Sequence, residues 1–148
     1  MSFWEALRIS ASGLTAQRMR MDVISNNIAN AQTTRTADGG PYKRQDVVFE
    51  AEDQNSFDSS LTSAMNNSED QYTGGVKVAG IVTDNTPGSK VYDPTNPDAD
   101  KDGYVLYPNV DPVVEMTNML SATRSYEANL SVVDAVKTMA SKALDIGR

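Results

Sequence analysis

The densest run of side chains able to hold a ligand is Asp98-Ala99-Asp100-Lys101-Asp102-Gly103. Alternate carboxylates followed by a glycine turn are how a calcium loop converges several oxygens on one hard cation. The far end of such a loop is missing. Eleven residues after Asp98 stands Asn109 where a bidentate carboxylate belongs, and no helices flank the run. An Asp- and Gly-rich turn entering a strand at Tyr104 explains the same residues, so Asp98, Asp100 and Asp102 are only a weak metal candidate. No cofactor is expected.

Paired acids, Glu52 with Asp53 and Glu69 with Asp70, imitate a general acid/base couple. They fall in a polar stretch read as a mobile loop, whereas catalytic carboxylates need a rigid, partly buried frame. The chain has no His and no Cys. Imidazole-based triads, thiolate nucleophiles, disulfides and Cys- or His-ligated metals are therefore excluded. Gly74-Gly75 and Pro87-Gly88 lack phosphate-loop spacing and read as turns. A secreted hydrolase would need a rigid carboxylate site, none is legible, and the chain reads as a non-enzyme.

The 148 residues carry 13 Lys plus Arg against 20 Asp plus Glu, a net charge of −7. That balance opposes a nucleic-acid grip, which needs clustered cations; Lys43-Arg44 beside Tyr42 is the one basic cluster of the middle. No apolar run approaches the roughly 20 residues that span a bilayer. Glu5 and Arg8 interrupt any apolar core of a cleavable signal peptide, so none is expected.

Three segments must position whatever these residues do. Residues 1–36 carry +2, residues 37–110 carry −8 and residues 111–148 carry −1. All but one of the six prolines lie in the middle segment, whose Gly, Pro and Asn-Pro clusters are turn signals. Between them, Gln45 to Glu50, Val76 to Thr83, Ser89 to Tyr92 and Tyr104 to Tyr107 read as strands. The polar stretch 51–75 reads as a mobile loop. Both ends are periodic. Trp4, Leu7, Ala11, Leu14, Arg18, Met21, Ser25 and Ile28 alternate three- and four-residue steps, which predicts an amphipathic helix ending near Asn30. Asn30 reads as a cap; Asn26 and Asn27 fit either capping or a polar register point between packed helices.

Asp111 followed by Pro112 reads as an N-cap with proline in the first helical position. From there Met116, Met119, Thr123, Tyr126, Leu130, Val133, Lys137, Ala140 and Leu144 repeat the three–four alternation, with a second apolar line through Val132, Val136, Met139, Ala143 and Ile146. A helix over 112–146 would be roughly 50 Å long, whereas a compact globule of this length is about 38 Å across. One narrow N-terminal seam does not cover two C-terminal stripes, so the surplus is expected to meet other subunits. The fold class is α+β: long terminal helices pairing as a coiled-coil-like layer, with a small β-rich middle domain between them.

Ser25-Asn26-Asn27-Ile28-Ala29-Asn30-Ala31-Gln32-Thr33 closely resembles the Ser-Asn-Asn-Ile-Ala-Asn-x-x-Thr signature of the bacterial flagellar rod and hook axial protein family, which marks Asn26, Asn27, Asn30 and Thr33 as motif residues. Further blocks resemble the proximal rod members of that family. They are Gly39-Gly40-Pro41-Tyr42 with Val47-Val48-Phe49, Gly74-Gly75-Val76-Lys77-Val78, Val91-Tyr92-Asp93-Pro94, Asp102-Gly103-Tyr104-Val105, Pro108-Asn109-Val110-Asp111 and Arg124-Ser125-Tyr126-Glu127-Ala128-Asn129-Leu130. The likeness runs in order along nearly the whole chain. Residues 51–70 look like a variable stretch, and Thr34-Arg35-Thr36 departs from the Thr-Gly common in the wider group.

The resemblance implies a structural subunit of the flagellar basal body, in the proximal rod of the drive shaft that crosses the periplasm and transmits torque. Implied partners are copies of itself, other proximal rod proteins, the rod–MS-ring adaptor protein, the distal rod protein and the flagellar type III export apparatus. Terminal segments of such proteins are typically unfolded in monomers and become helical on assembly. Trp4, Leu7, Leu14, Met21 and Ile28 are placed with Met119, Tyr126, Leu130, Val133, Val136, Met139 and Leu144 in an inner packed layer between subunits. A non-rod coiled-coil adaptor or a calcium-binding interaction protein would explain the helices but not the ordered series of blocks.

Overall fold

Helix α1 spans Phe3–Ala29, and the computed structural model of the chain describes residues 3–37, 39–52 and 74–146. Asn30 ends the helix: its backbone amide donates to the Asn26 carbonyl at 3.1 Å, and its side-chain amide donates to the same carbonyl at 2.9 Å and to Asn26 Oδ1 at 2.8 Å. Four strands follow, β1 Gln45–Ala51, β2 Val76–Thr83, β3 Lys90–Tyr92 and β4 Tyr104–Leu106, and helix α2 Pro112–Ile146 closes the chain. The α+β expectation holds, with both helices and all four strands where the periodicity and turn signals put them. The proposed loop over 51–75 is another matter: residues 53–73, with Asp53, Glu69 and Asp70, lie outside the described residues.

Asp111 caps α2 as its sequence demands. Its Oδ1 accepts the amide of Val113 at 2.8 Å and that of Val114 at 3.5 Å, while Pro112 occupies the position whose missing N–H costs nothing. The helix runs 35 residues, about 52 Å, against 27 residues and about 40 Å for α1.

The strands form two antiparallel ribbons, β1 with β2 and β3 with β4. In the first, Gln45 pairs Thr83 and Ala51 pairs Val76, with a bulge between Val48 and Phe49. Val47, Phe49, Val76 and Val78 are its half-buried apolar side chains, and the ribbon lies against α1. Two polar side chains of α1 tie it there. Asn27 hydrogen-bonds both backbone groups of Gln45, and Ser12 Oγ accepts the amide of Val76 at 3.1 Å. Fifteen helical residues separate these ties, about 22 Å, and seven strand residues span about 24 Å, so the ribbon runs lengthwise along the helix.

The second ribbon stands on the segment after α1. Thr34 Oγ1 donates to Asp98 Oδ2 at 2.8 Å, and Arg35 pairs with the same carboxylate at 3.6 Å. Tyr92 and Tyr104 are cross-strand partners whose rings meet edge to face at 5.3 Å. Gly103, at φ +80°, makes the turn into β4 that the Asp-rich run announced.

Candidate assembly surface and its polar anchor

The largest fully buried side chains between the helices are polar. Asn27 is fully enclosed and Glu115, in the first turn of α2, is 1% exposed. Buried polar groups of this kind must be hydrogen-bonded to be tolerated, and here every position is used. Asn27 Oδ1 accepts the Gln45 amide and the Tyr42 hydroxyl, each at 3.0 Å. Its Nδ2 donates to the Gln45 carbonyl at 2.8 Å and to Glu115 Oε2 at 3.2 Å. The other carboxylate oxygen, Oε1, accepts Arg44 Nε at 2.9 Å, with Asn118 Nδ2 at 3.5 Å. One cluster thus joins α1, the lead-in to β1 and α2.

Electrostatics follow from that enclosure. Burial pushes the Tyr42 hydroxyl above its ordinary pKa, and the nearby Glu115 charge adds to the shift. Burial works against the Arg44 charge, yet the hydrogen bond and attraction of Glu115 outweigh it and hold the guanidinium more firmly protonated than usual. Of the two open readings for the asparagines, Asn27 joins elements, while Asn26 receives the Asn30 cap. Thr33 extends that cap, with its Oγ1 donating to Asn30 Oδ1 at 3.2 Å. Glu115, Arg44 and Gln45 escaped the sequence reading. An acid in the first turn of a helix is already explained by the dipole, so nothing in the sequence flags it as buried.

The helices run antiparallel in one register. A Cβ added to Gly13 would lie 3.0 Å from the Asn129 amide nitrogen, Met21 Sδ is 3.6 Å from Thr123 Oγ1, and Asn27 meets Glu115. Fourteen residues forward along α1 match fourteen backward along α2, about four turns without slippage. The inward line of α2 is Glu115, Ala122, Asn129 and Val136, flanked by half-buried Met119, Tyr126 and Val133. The periodicity had placed Met116, Thr123, Leu130 and Lys137 on that line, one residue further round. The buried and contacted positions explain the difference: Ala16 and Ala122 are buried and Gly13 sits against the Asn129 side chain, while half-buried larger apolar residues flank them.

Among the residues placed in the inner layer, Leu7, Leu14, Met21, Ile28, Met119, Tyr126 and Val133 are half-buried and Val136 is buried. Trp4, Leu130, Met139 and Leu144 are exposed, at 75%, 43%, 62% and 76%. Val113, Met116 and Leu120 are also exposed, on the flank of Leu130, and Val132 on the opposite flank with Met139. Continuing the register from Gly13 and Asn129 sets Phe3 opposite Met139, so the last turns of α2 pass beyond α1.

Among the described residues no group of three or more acids could hold a metal ion, and Asp98 is already engaged by Thr34 and Arg35. No described helix is long and apolar enough to cross a membrane.

Known proteins resemble this sequence. Residues 7–35 match the family described as flagella basal body rod protein, and residues 101–146 match the C-terminal family of flagellar basal body rod FlgEFG proteins. The flagellar basal-body rod protein FlgC of Bacillus subtilis is 47% identical over 152 aligned positions covering 100% of both chains. The FlgC proteins of Borreliella burgdorferi and Salmonella typhimurium are 45% and 42% identical, covering 99% and 95% of this chain and 98% and 94% of theirs.

Proposed function

This chain belongs to the FlgC family of flagellar basal-body rod proteins, and from that premise we propose that it builds the proximal part of the rod by packing its terminal helices against neighbouring subunits. Its role is that of a structural subunit of the flagellar basal body. In the proposed arrangement residues 1–36 and 111–148 form the inner helical layer and residues 37–110 form a domain outside it. Neighbours are copies of itself, other proximal rod proteins, the distal rod protein and the rod–MS-ring adaptor. The subunit reaches the periplasm through the flagellar type III export apparatus without a cleaved signal.

One observation carries this reading: α2 presents Met116, Leu130, Met139 and Leu144 to solvent along a helix that outlasts its partner. Large apolar side chains left exposed on both flanks of a helix, Met116, Leu130 and Leu144 on one and Met139 on the other, mark an interaction site. Interdigitated side chains along long helices resist shear at many contacts together, which suits a shaft under torque. The test is complementation of Bacillus subtilis cells deleted for their own FlgC, followed by isolation of basal bodies. Recovery of the chain within intact rods supports the proposal. Restored rods that lack the chain would defeat it.

A further inference from the structure

The apolar seam of this helix pair does not by itself define where the helices stop sliding. Glu115, Ala122, Asn129 and Val136 recur every seven residues along α2, as do Gly13 and Asn27 at twice that interval along α1. Sliding one helix by seven residues, about 10 Å, returns small and apolar side chains to equivalent positions. Polar side chains break the degeneracy.

We propose that Asn27 is the positioning residue that sets the axial register of α1 against α2 and, through the same amide, the seat of β1. In the observed register its Nδ2 reaches Glu115 Oε2 while its remaining positions hold both backbone groups of Gln45 and the Tyr42 hydroxyl. A seven-residue slide brings Ala122 opposite Asn27 and Val136 opposite Gly13. The amide then faces a methyl group, and the enclosed Glu115 carboxylate keeps only partners from the strand lead-in and its own helix. A one-residue rotation fails equally, because Gln45 offers its N–H and C=O in a fixed spacing that one carboxamide matches. Buried polar side chains are known to specify register in this manner.

The absence of Cys makes register directly readable. In the full-length chain, Gly13→Cys with Asn129→Cys reports the observed register, since the added Cβ lies within disulfide reach of Asn129. Gly13→Cys with Val136→Cys reports the slid one. With Asn27 present, the first pair should oxidise at least about tenfold faster than the second. In a background of Asn27→Leu that retains its helical circular dichroism, the two rates should come within about threefold of each other. Preservation of the tenfold preference there overturns the proposal. Should Asn27→Leu lose its helices, Asn27→Asp is read the same way, because it keeps size and acceptors and lacks the two donors. Loss of helix in both variants would make Asn27 a stability residue and reject the register role. Tyr42→Phe removes one hydrogen bond and should leave the preference intact; a collapse as large as in Asn27→Leu would assign register to the whole cluster and refute the claim for Asn27.

Discussion

Arg44 and Glu115 meet across 71 residues of chain at 2.9 Å, and they are unequal partners, the guanidinium side chain 25% exposed and the carboxylate 1%. Losing Arg44 strands a buried charge, whereas losing the charge on Glu115 leaves an arginine able to turn toward water. Arg44→Met should therefore cost about 3 kcal/mol and Glu115→Gln about 1 kcal/mol. Urea unfolding of the two variants checks this, and equal losses would show that the carboxylate is not the buried member.

Tyr42 links the same cluster to pH. Its folded pKa is raised, so the native state keeps the phenol proton after the unfolded chain has begun to lose it. Stability from this group is complete below the ordinary tyrosine value near 10 and declines as pH rises through the folded value. Unfolding midpoints measured from pH 9 to pH 11 should fall less steeply in Tyr42→Phe than in the parent chain.

Two glycines should respond oppositely to alanine. At Gly13 the added methyl meets the amide end of Asn129, a flexible group able to give way, and helix propensity gains nearly 1 kcal/mol. Gly13→Ala should be neutral to stabilising by about 0.5 kcal/mol. At Gly88 the methyl would overlap the carbonyl oxygen of Tyr107 and lie 2.7 Å from the carbonyl carbon of Pro108, backbone atoms that cannot yield. Gly88→Ala should cost about 3 kcal/mol, a difference that thermal melting resolves readily.

A substitution at Leu130 tests the proposed interface apart from folding. Being 43% exposed, this position should tolerate Leu130→Asp with a stability change within about 0.5 kcal/mol. In cells, expression should persist while rods and swimming are lost. Normal motility of that variant would remove Leu130 from the interface.

The helices were legible because their signals are local. Asp111-Pro112 begins α2, Asn30 ends α1, and the three–four alternation needs no tertiary contact to be read. The strands were legible for the same reason, bounded by glycine, proline and Asn-Pro turns. The facing line of α2 was not. Periodicity weights a helix face by its large apolar residues, yet the buried or contacted positions include Gly13, Ala16 and Ala122, whose small size carries almost no hydrophobic signal. The polar anchor was hidden for another reason: Glu115 and Arg44 look like ordinary surface charges until folding brings them together.

By itself the sequence settled what kinds of chemistry are absent, which segments are helix or strand, and that α2 carries more apolar surface than α1 can cover. All of these follow from composition and near-neighbour spacing. Only the tertiary structure decided which sides of the helices touch, at what offset, and that a carboxylate and a carboxamide lie between them. Those outcomes depend on energies that exist only when distant groups meet: a buried charge is tolerable once Arg44 and Asn27 reach it, and a repeating seam acquires one position once a single amide has one place to bond.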